Sequence, residues 1–447
     1  MRRAIILLVV FGFVELIRPL GSSGYGSQAL LAFGFLILAA YTVGEIAHAI
    51  HAPAIVGYLA AGVIFGPVGL QSVSNNALTQ LEPVSGLAIA LIAFLAGSEL
   101  RWDQLREEWV GLLKIMGTEL ALSAVGLGTV LYLASNYIPF LHGRPTSEII
   151  AVTLLFASVA IVHSPAVTIA LLSETRAKGP VARTTLGVVL LADIVVVLLF
   201  TAAMASARTF APTAGMADTS FIRIGWEIIG ALIVGAILGA GIALYLRFVA
   251  EELFLFAIVA TFLGAEIARI AHVEVLLTLI TAGFVTENFS RRPHSKALRD
   301  AMERSAAPVF VVFFALAGAK IDVATVVVLL PVLVPLALVR VGAIWGGTHL
   351  GARWARAPET ERRYVWMGLV SQSGVAIGLA MIIAETFPTF GGSLRSLLLA
   401  LIALNETVGA ILFRRALVAT GEVPANPGGV SEPTHVSVIA SDEPLQG

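Results

Sequence analysis

Asp193 has the strongest claim to chemistry in this sequence. It stands inside Gly187–Phe200, GVVLLADIVVVLLF, and its helical neighbours Leu186, Val189, Leu190, Val196 and Val197 are all apolar. A carboxylate in such a run is costly unless it meets a counter-charge, a cation or a proton. The bland alternative is a protonated Asp that makes a helix-packing hydrogen bond. Arg340 is the second candidate, since every residue from Val328 to Val339 before it is apolar. A guanidinium stays charged, so a buried one requires an anion nearby, and Asp193 is its natural counter-ion. The bland alternative here is snorkelling to an interface.

Two interruptions add to these charges. His163-Ser164-Pro165 falls inside the apolar stretch 148–172, and Ser371-Gln372-Ser373-Gly374 inside 363–387. Proline removes a backbone donor and frees carbonyls of the preceding turn. Transporters use such discontinuous helices to hold ions with backbone oxygens and hydroxyls. Pro165 and Gly374 therefore mark helix breaks, and His163, Ser164 and Gln372 are candidates for ion or proton binding. His163 reads either as a pH sensor or as a hydrogen-bonded filler at the break. Lys114, Glu119, Glu266 and Glu406 also fall in or near apolar stretches. Packing or interface roles are expected for them, with Glu406 in Asn405-Glu406 the one that stands out.

The elements that position these residues must be membrane helices. Of 447 residues 58% are hydrophobic and only 13% are charged, about half the usual charged share of a soluble domain. Such a chain cannot cover a globule with polar surface, so lipid is its solvent. Apolar stretches of crossing length lie near 28–49, 53–70, 81–99, 110–133, 148–172, 183–205, 221–247, 252–270, 273–289, 305–319, 324–352, 363–387 and 394–418. An earlier stretch, 4–20, carries Glu15 and Arg18 and reads as an N-terminal extra helix within 1–27, or as a signal peptide after Arg2 and Arg3. The expected fold class is thus an all-α polytopic membrane protein of 13–14 transmembrane helices. The two interrupted stretches are the fifth and twelfth of the thirteen. That placing predicts two inverted six-helix repeats, 28–205 and 252–418, joined by a linker helix at 221–247.

Composition also excludes several classes. A net charge of −1 gives no basic excess for nucleic acid. Without cysteine there are no disulfides, Cys-ligated zinc sites or iron–sulfur clusters. No HExxH motif, paired membrane aspartates or nucleophile with a base suggests an enzyme. Lys and Arg concentrate in alternate joints, as at Arg291, Arg292, Lys296, Arg299 and Arg304. The asymmetry predicts a cell (inner) membrane protein with a cytoplasmic C-terminus. The basic joint 287–304 reads as a linker on anionic headgroups, and the polar segment 419–447 as a disordered cytoplasmic tail.

Four segments resemble the monovalent cation/proton antiporters, in the branch of the Kef-type potassium and NapA-type sodium exchangers. Val56–Leu70, VGYLAAGVIFGPVGL, is similar to that branch's G-Y-L-x-x-G-x-x-x-G-P signature, and Ala93–Leu105, AFLAGSELRWDQL, to its F-x-x-G-x-E-L segment. Ala192-Asp193 stands at the essential acidic position, and Asn405–Leu417, NETVGAILFRRAL, completes the set. The resemblance spans roughly 28–418 and implies the NhaA/NapA-like fold, with a panel domain, a mobile core domain and homodimers. It implies that Asp193 binds cation and proton, that Arg340 is the basic residue of the core, and that His163, Ser164 and Gln372 lie at the crossing. No cofactor is implied, and the nucleotide-binding domain of Kef-type channels has no counterpart here. Two departures matter: Ala192 replaces a second acid, and Arg340 stands where many members have Lys. A single acid predicts electroneutral one-for-one exchange of Na+ or K+ for H+ by alternating access. The rival reading is a cation channel, or a Kef-like potassium efflux pathway without proton coupling.

Overall fold

A computed structural model describes residues 25–49, 52–211, 221–249, 252–321, 323–372 and 374–424. The stretch 4–20 and nearly all of the expected tail lie outside the described residues. Those described are helical apart from short joints and one 3-10 turn at Ser135–Tyr137. Seven helical stretches are long and apolar enough to cross a membrane, and shorter apolar helices at 54–65, 82–98, 275–289, 308–319 and 375–384 fall on five further expected spans. The remaining one, 252–270, is a helix over Leu253–Ile270 that carries Glu266 and Arg269.

Two packing groups follow from which helices touch. The first holds α1 (Tyr25–Ala49), α2 (Ala54–Phe65), the short α3 (Asn75–Gln80) and α4 (Glu82–Glu99) from the first half of the chain. From the second half come α9 (Phe221–Phe248), α10 (Leu253–Ile270), α11 (Val275–Phe289) and α12 (Arg292–Ala319). Here α1 packs on α2, α2 on α12, and α11 on both α4 and α9. The α2 helix is shorter than the stretch 53–70 because Gly66-Pro67 ends it, proline disfavouring helix in the residue before it. The basic joint is itself helical: α12 starts at Arg292, with a proline in its first turn, and runs unbroken into the apolar span.

The second group holds α5 (Trp102–Leu133), α6 (Thr146–Ala160), α7 (Pro165–Thr175), α8 (Pro180–Phe210), α13 (Val323–Trp354), α14 (Glu359–Gly368), α15 (Gly374–Thr386) and α16 (Gly391–Ala419). Leu127, Phe156, Phe387, Phe390 and Leu397 form part of its apolar interior. The α5–α13 pair is the most extensive helix contact among the described residues. A Cβ at Gly347 would lie 2.5 Å from the Glu119 Cα, so only glycine permits this approach. It lets the Thr118 hydroxyl donate across the pair to the Gly347 carbonyl at 2.9 Å.

Both expected interruptions are present. Helix α6 stops at Ala160 and α7 starts at Pro165, leaving 161–164 non-helical; α14 stops at Gly368 and α15 starts at Gly374. Pro165 does not kink a continuous helix. It occupies the start of a new one, where a missing N–H leaves no bond unmade. The chain beyond α16 stays docked at Glu422 and Val423, past the expected boundary at 419. Gly421 takes a left-handed turn (φ 71°), and Glu422 folds back onto the first turn of α8. Its Oε1 and Oε2 accept from the Val181 and Ala182 N–H groups, each at 2.8 Å. A carboxylate is the natural cap for a helix N-terminus, and this one was hidden in a segment read as tail.

Candidate ion site at the helix breaks

A helix that ends inside a membrane leaves its last carbonyls without partners, each costing about 1–3 kcal/mol if left so. Helix α6 ends this way, and Arg340 on α13 answers it. Fully buried, Arg340 donates from Nε to the Ala160 carbonyl at 2.7 Å and from Nη2 to the Val162 carbonyl at 2.9 Å. Its Nη1 donates to the Val370 carbonyl in the second break. The guanidinium thus joins the two breaks, its charge set against the negative ends of two half-helices. The expected ion pair with Asp193 is not formed; carbonyl oxygens take the place assigned to the carboxylate.

Gln372 completes the answer. Its side-chain amide donates to the Ala160 carbonyl at 3.0 Å, and its oxygen accepts from Asn405 Nδ2 on α16 at 2.8 Å. Close packing of α16 on this break depends on Gly409, where a Cβ would lie 2.4 Å from the Ser371 nitrogen. Ser164 is buried but spends its hydroxyl as the N-cap of α7, accepting from Val167 N–H at 3.1 Å. Its carbonyl also accepts from the Thr168 hydroxyl at 2.9 Å. His163 is fully buried between two acceptors: Nδ1 lies 2.7 Å from the Leu369 carbonyl and Nε2 3.0 Å from Glu119 Oε2. That makes it a hydrogen-bonded member of the crossing.

Asp193 differs from all of these. It is only 9% exposed, and neither of its carboxylate oxygens has a hydrogen-bond partner among the described residues. It faces a cavity of about 40 Å³ between α8, α9, α11 and α15, lined also by Leu190, Glu227, Glu274, Leu277 and Val375. Val375 follows Gly374, so the cavity abuts the first turn of α15. The opposite wall, formed by helices of the first packing group, brings two further carboxylates. Glu274 caps α11 through the Leu277 N–H, and its backbone N–H donates to the Glu227 carbonyl at 3.1 Å.

The structure therefore gathers His163, Gln372 and Arg340 at the crossing, and sets Asp193 beside it on the cavity with no hydrogen bond to any of them. Sequence reasoning missed four residues. Glu119 reads as packing and Asn405 only as part of a motif, because their partners come from 44 and 33 positions away. Glu227 and Glu274 stand a few residues inside their spans, where charges pass as interfacial.

Interrupted helices crossing beside a buried, unpaired carboxylate define a polytopic secondary transporter of ions. The chain belongs to the sodium/hydrogen exchanger transmembrane family, whose model matches residues 33–418. Its fold is similar to that of the sodium/proton antiporter MjNhaP1 from Methanocaldococcus jannaschii. One structure of that protein, at pH 8, matches with a TM-score of 0.62 and 17% identity, over 91% of this chain and 100% of the other. An electron-microscopy structure of it matches with a TM-score of 0.72 and 16% identity, over 89% and 99%. Among curated proteins, the iron transporter MagA of Paramagnetospirillum magneticum is 32% identical over 160 residues. That match covers 36% of this chain and 34% of the relative, so it spans only about a third of its length.

Proposed function

We propose that this protein exchanges one monovalent cation, Na+ or K+, for one proton, the two competing for Asp193. The observation that carries the reading is the pair of unpartnered Asp193 oxygens on a cavity, while Arg340 is committed to three carbonyls. A buried carboxylate without a partner is a strained state, which either a bound proton or a bound cation relieves. Because one site takes either ligand and not both, transport of the two is coupled.

Charge counting supports a one-for-one exchange. Arg340 does not release protons at accessible pH, and residue 192, before the acid, is alanine. The proton-loaded and cation-loaded sites then carry the same charge, and a full cycle moves none. The packing of two helix groups against each other supports alternating access, with the group that bears the breaks moving against the other. The pairing of α5 with α13, and of α6–α7 with α14–α15, is what two inverted repeats joined through 221–247 would give. Dimerisation, an inner-membrane location and a cytoplasmic C-terminus complete the proposal.

Purified protein in liposomes with a pH-sensitive dye tests it, with sodium, potassium and lithium added in turn. A proton flux driven by one cation, and unchanged when the membrane potential is clamped, is the expected result. Cation leakage without proton flux would instead establish a channel, and a flux that follows the clamp would remove the one-for-one stoichiometry.

A further inference from the structure

Glu119 on α5 is fully buried and lies outside every role described so far for the exchange. Its Oε1 accepts from the Ser123 hydroxyl at 2.8 Å and its Oε2 faces His163 Nε2 at 3.0 Å. His163 Nδ1 faces the Leu369 carbonyl at 2.7 Å. A carbonyl only accepts, so Nδ1 carries a hydrogen and donates. One further hydrogen then lies between Nε2 and Oε2, whichever of the two atoms formally owns it. The result is a continuous chain from α5, through the first break, to the second break. Every polar atom in it is satisfied.

The position of this chain is what gives it consequence. Leu369 precedes Val370, which binds Arg340, and His163 follows Val162, which binds Arg340 as well. Of the other charged groups on the surrounding helices, Lys114 stacks over Trp354, and Asp193 on α8 faces its cavity. We infer that Glu119 is a positioning residue for the exchange, holding His163 so that both helix breaks keep the spacing that Arg340 bridges. The inference rests on the exchange reading above, and it adds a residue that touches neither cation nor transported proton.

The test uses full-length protein in liposomes, with the cation half-saturation concentration and the maximal rate measured separately. Glu119→Ala leaves His163 Nε2 without a partner and should raise half-saturation roughly tenfold, the equivalent of about 1.4 kcal/mol. Glu119→Gln should restore it to within about twofold. The glutamine N–H donates to His163 Nε2, its oxygen accepts from Ser123, and Nδ1 still donates to Leu369, so each bond is kept. Because the alanine leaves a buried hole, Ser123→Ala is read alongside it. This variant removes only the bond to Oε1 and should give a shift of about two- to threefold. Unchanged half-saturation in folded Glu119→Ala and Ser123→Ala proteins would overturn the inference, as would a Glu119→Gln variant as impaired as the alanine. Asp193→Asn measured in parallel separates the two readings. Exchange retained there removes the Asp193 site, while the Glu119 series still reports on the crossing by itself.

Discussion

Arg340 and Gln372 donate to the same carbonyl oxygen, that of Ala160, from 2.7 and 3.0 Å. One residue comes from a continuous helix and the other from the opposite break. The α6 terminus is thus held by a charge and an amide together, and neither replaces the other. Arg340 cannot serve this oxygen, Val162 and Val370 unless both breaks lie where the structure has them. The guanidinium is therefore a template for the crossing more than a partner for Asp193.

Replacing Arg340 by Lys tests the fork. A single ammonium cannot meet three carbonyls at the guanidinium's spacing, so at least one is left unpaired. Thermal unfolding in detergent should show a loss of about 1–3 kcal/mol, and exchange should fall at least tenfold. A Lys variant as stable and active as the native protein would mean that charge alone suffices.

The Gln372–Asn405 bond should appear as coupling. Asn405→Ala leaves the Gln372 oxygen without its donor and should cost about 1–2 kcal/mol. Gln372→Leu with Asn405→Ala should then cost less than the sum of the single changes, by about 0.5 kcal/mol or more. Strict additivity in a double-mutant cycle would deny that the two act as a unit.

The docked segment after α16 makes truncation informative. Removing residues after Pro424 should leave stability unchanged, whereas removing those after Ala419 takes away the Glu422 carboxylate on Val181 and Ala182 N–H. That loss should cost about 1–2 kcal/mol, and Glu422→Ala alone should reproduce most of it. Equal melting of both truncations would show that the clasp contributes nothing.

Glu361, in the first turn of α14 outside the apolar span, supplies a pH dependence. Burial raises its pKa above the usual carboxylate range and Glu108 adds to this, while the Thr184 hydroxyl bond and Arg183 lower it. A raised value in the folded state means stability present at acid pH and lost as pH rises through that value. Glu361→Gln keeps the Thr184 bond, at 2.9 Å in the native protein, and carries no charge. Melting at pH 5 and pH 8 should show the variant gaining on the native protein at the higher pH. A constant difference across that range would mean that Glu361 does not titrate differently on folding.

Much of this was legible in the sequence for physical reasons. Lipid forces every spanning backbone into helix, so apolar length alone located the spans, and Pro165 and Gly374 marked the breaks because each residue type constrains the backbone. Asp193 stood out because nothing within a helical turn of it is polar. The assignment of Asp193 to Arg340 did not follow, because it assumed that a buried cation seeks a carboxylate. The carbonyls that displace it exist only once the helices break, and no residue type encodes a free carbonyl. Glu119 and Glu422 were illegible for a related reason: each acts on a partner distant in the chain, at a junction set by tertiary packing.

The central claim is that Asp193 takes cation and proton in turn. The direct measurement is cation-driven proton flux in liposomes for native protein and Asp193→Asn, with both shown to be folded and equally incorporated. The asparagine is nearly isosteric and carries neither charge nor an exchangeable acid proton. Loss of flux with every cation, in a protein that melts at or above the native temperature because a strained charge is gone, is the predicted result. Flux retained by the well-folded variant would contradict the account and send the search for the site back to the other buried acids.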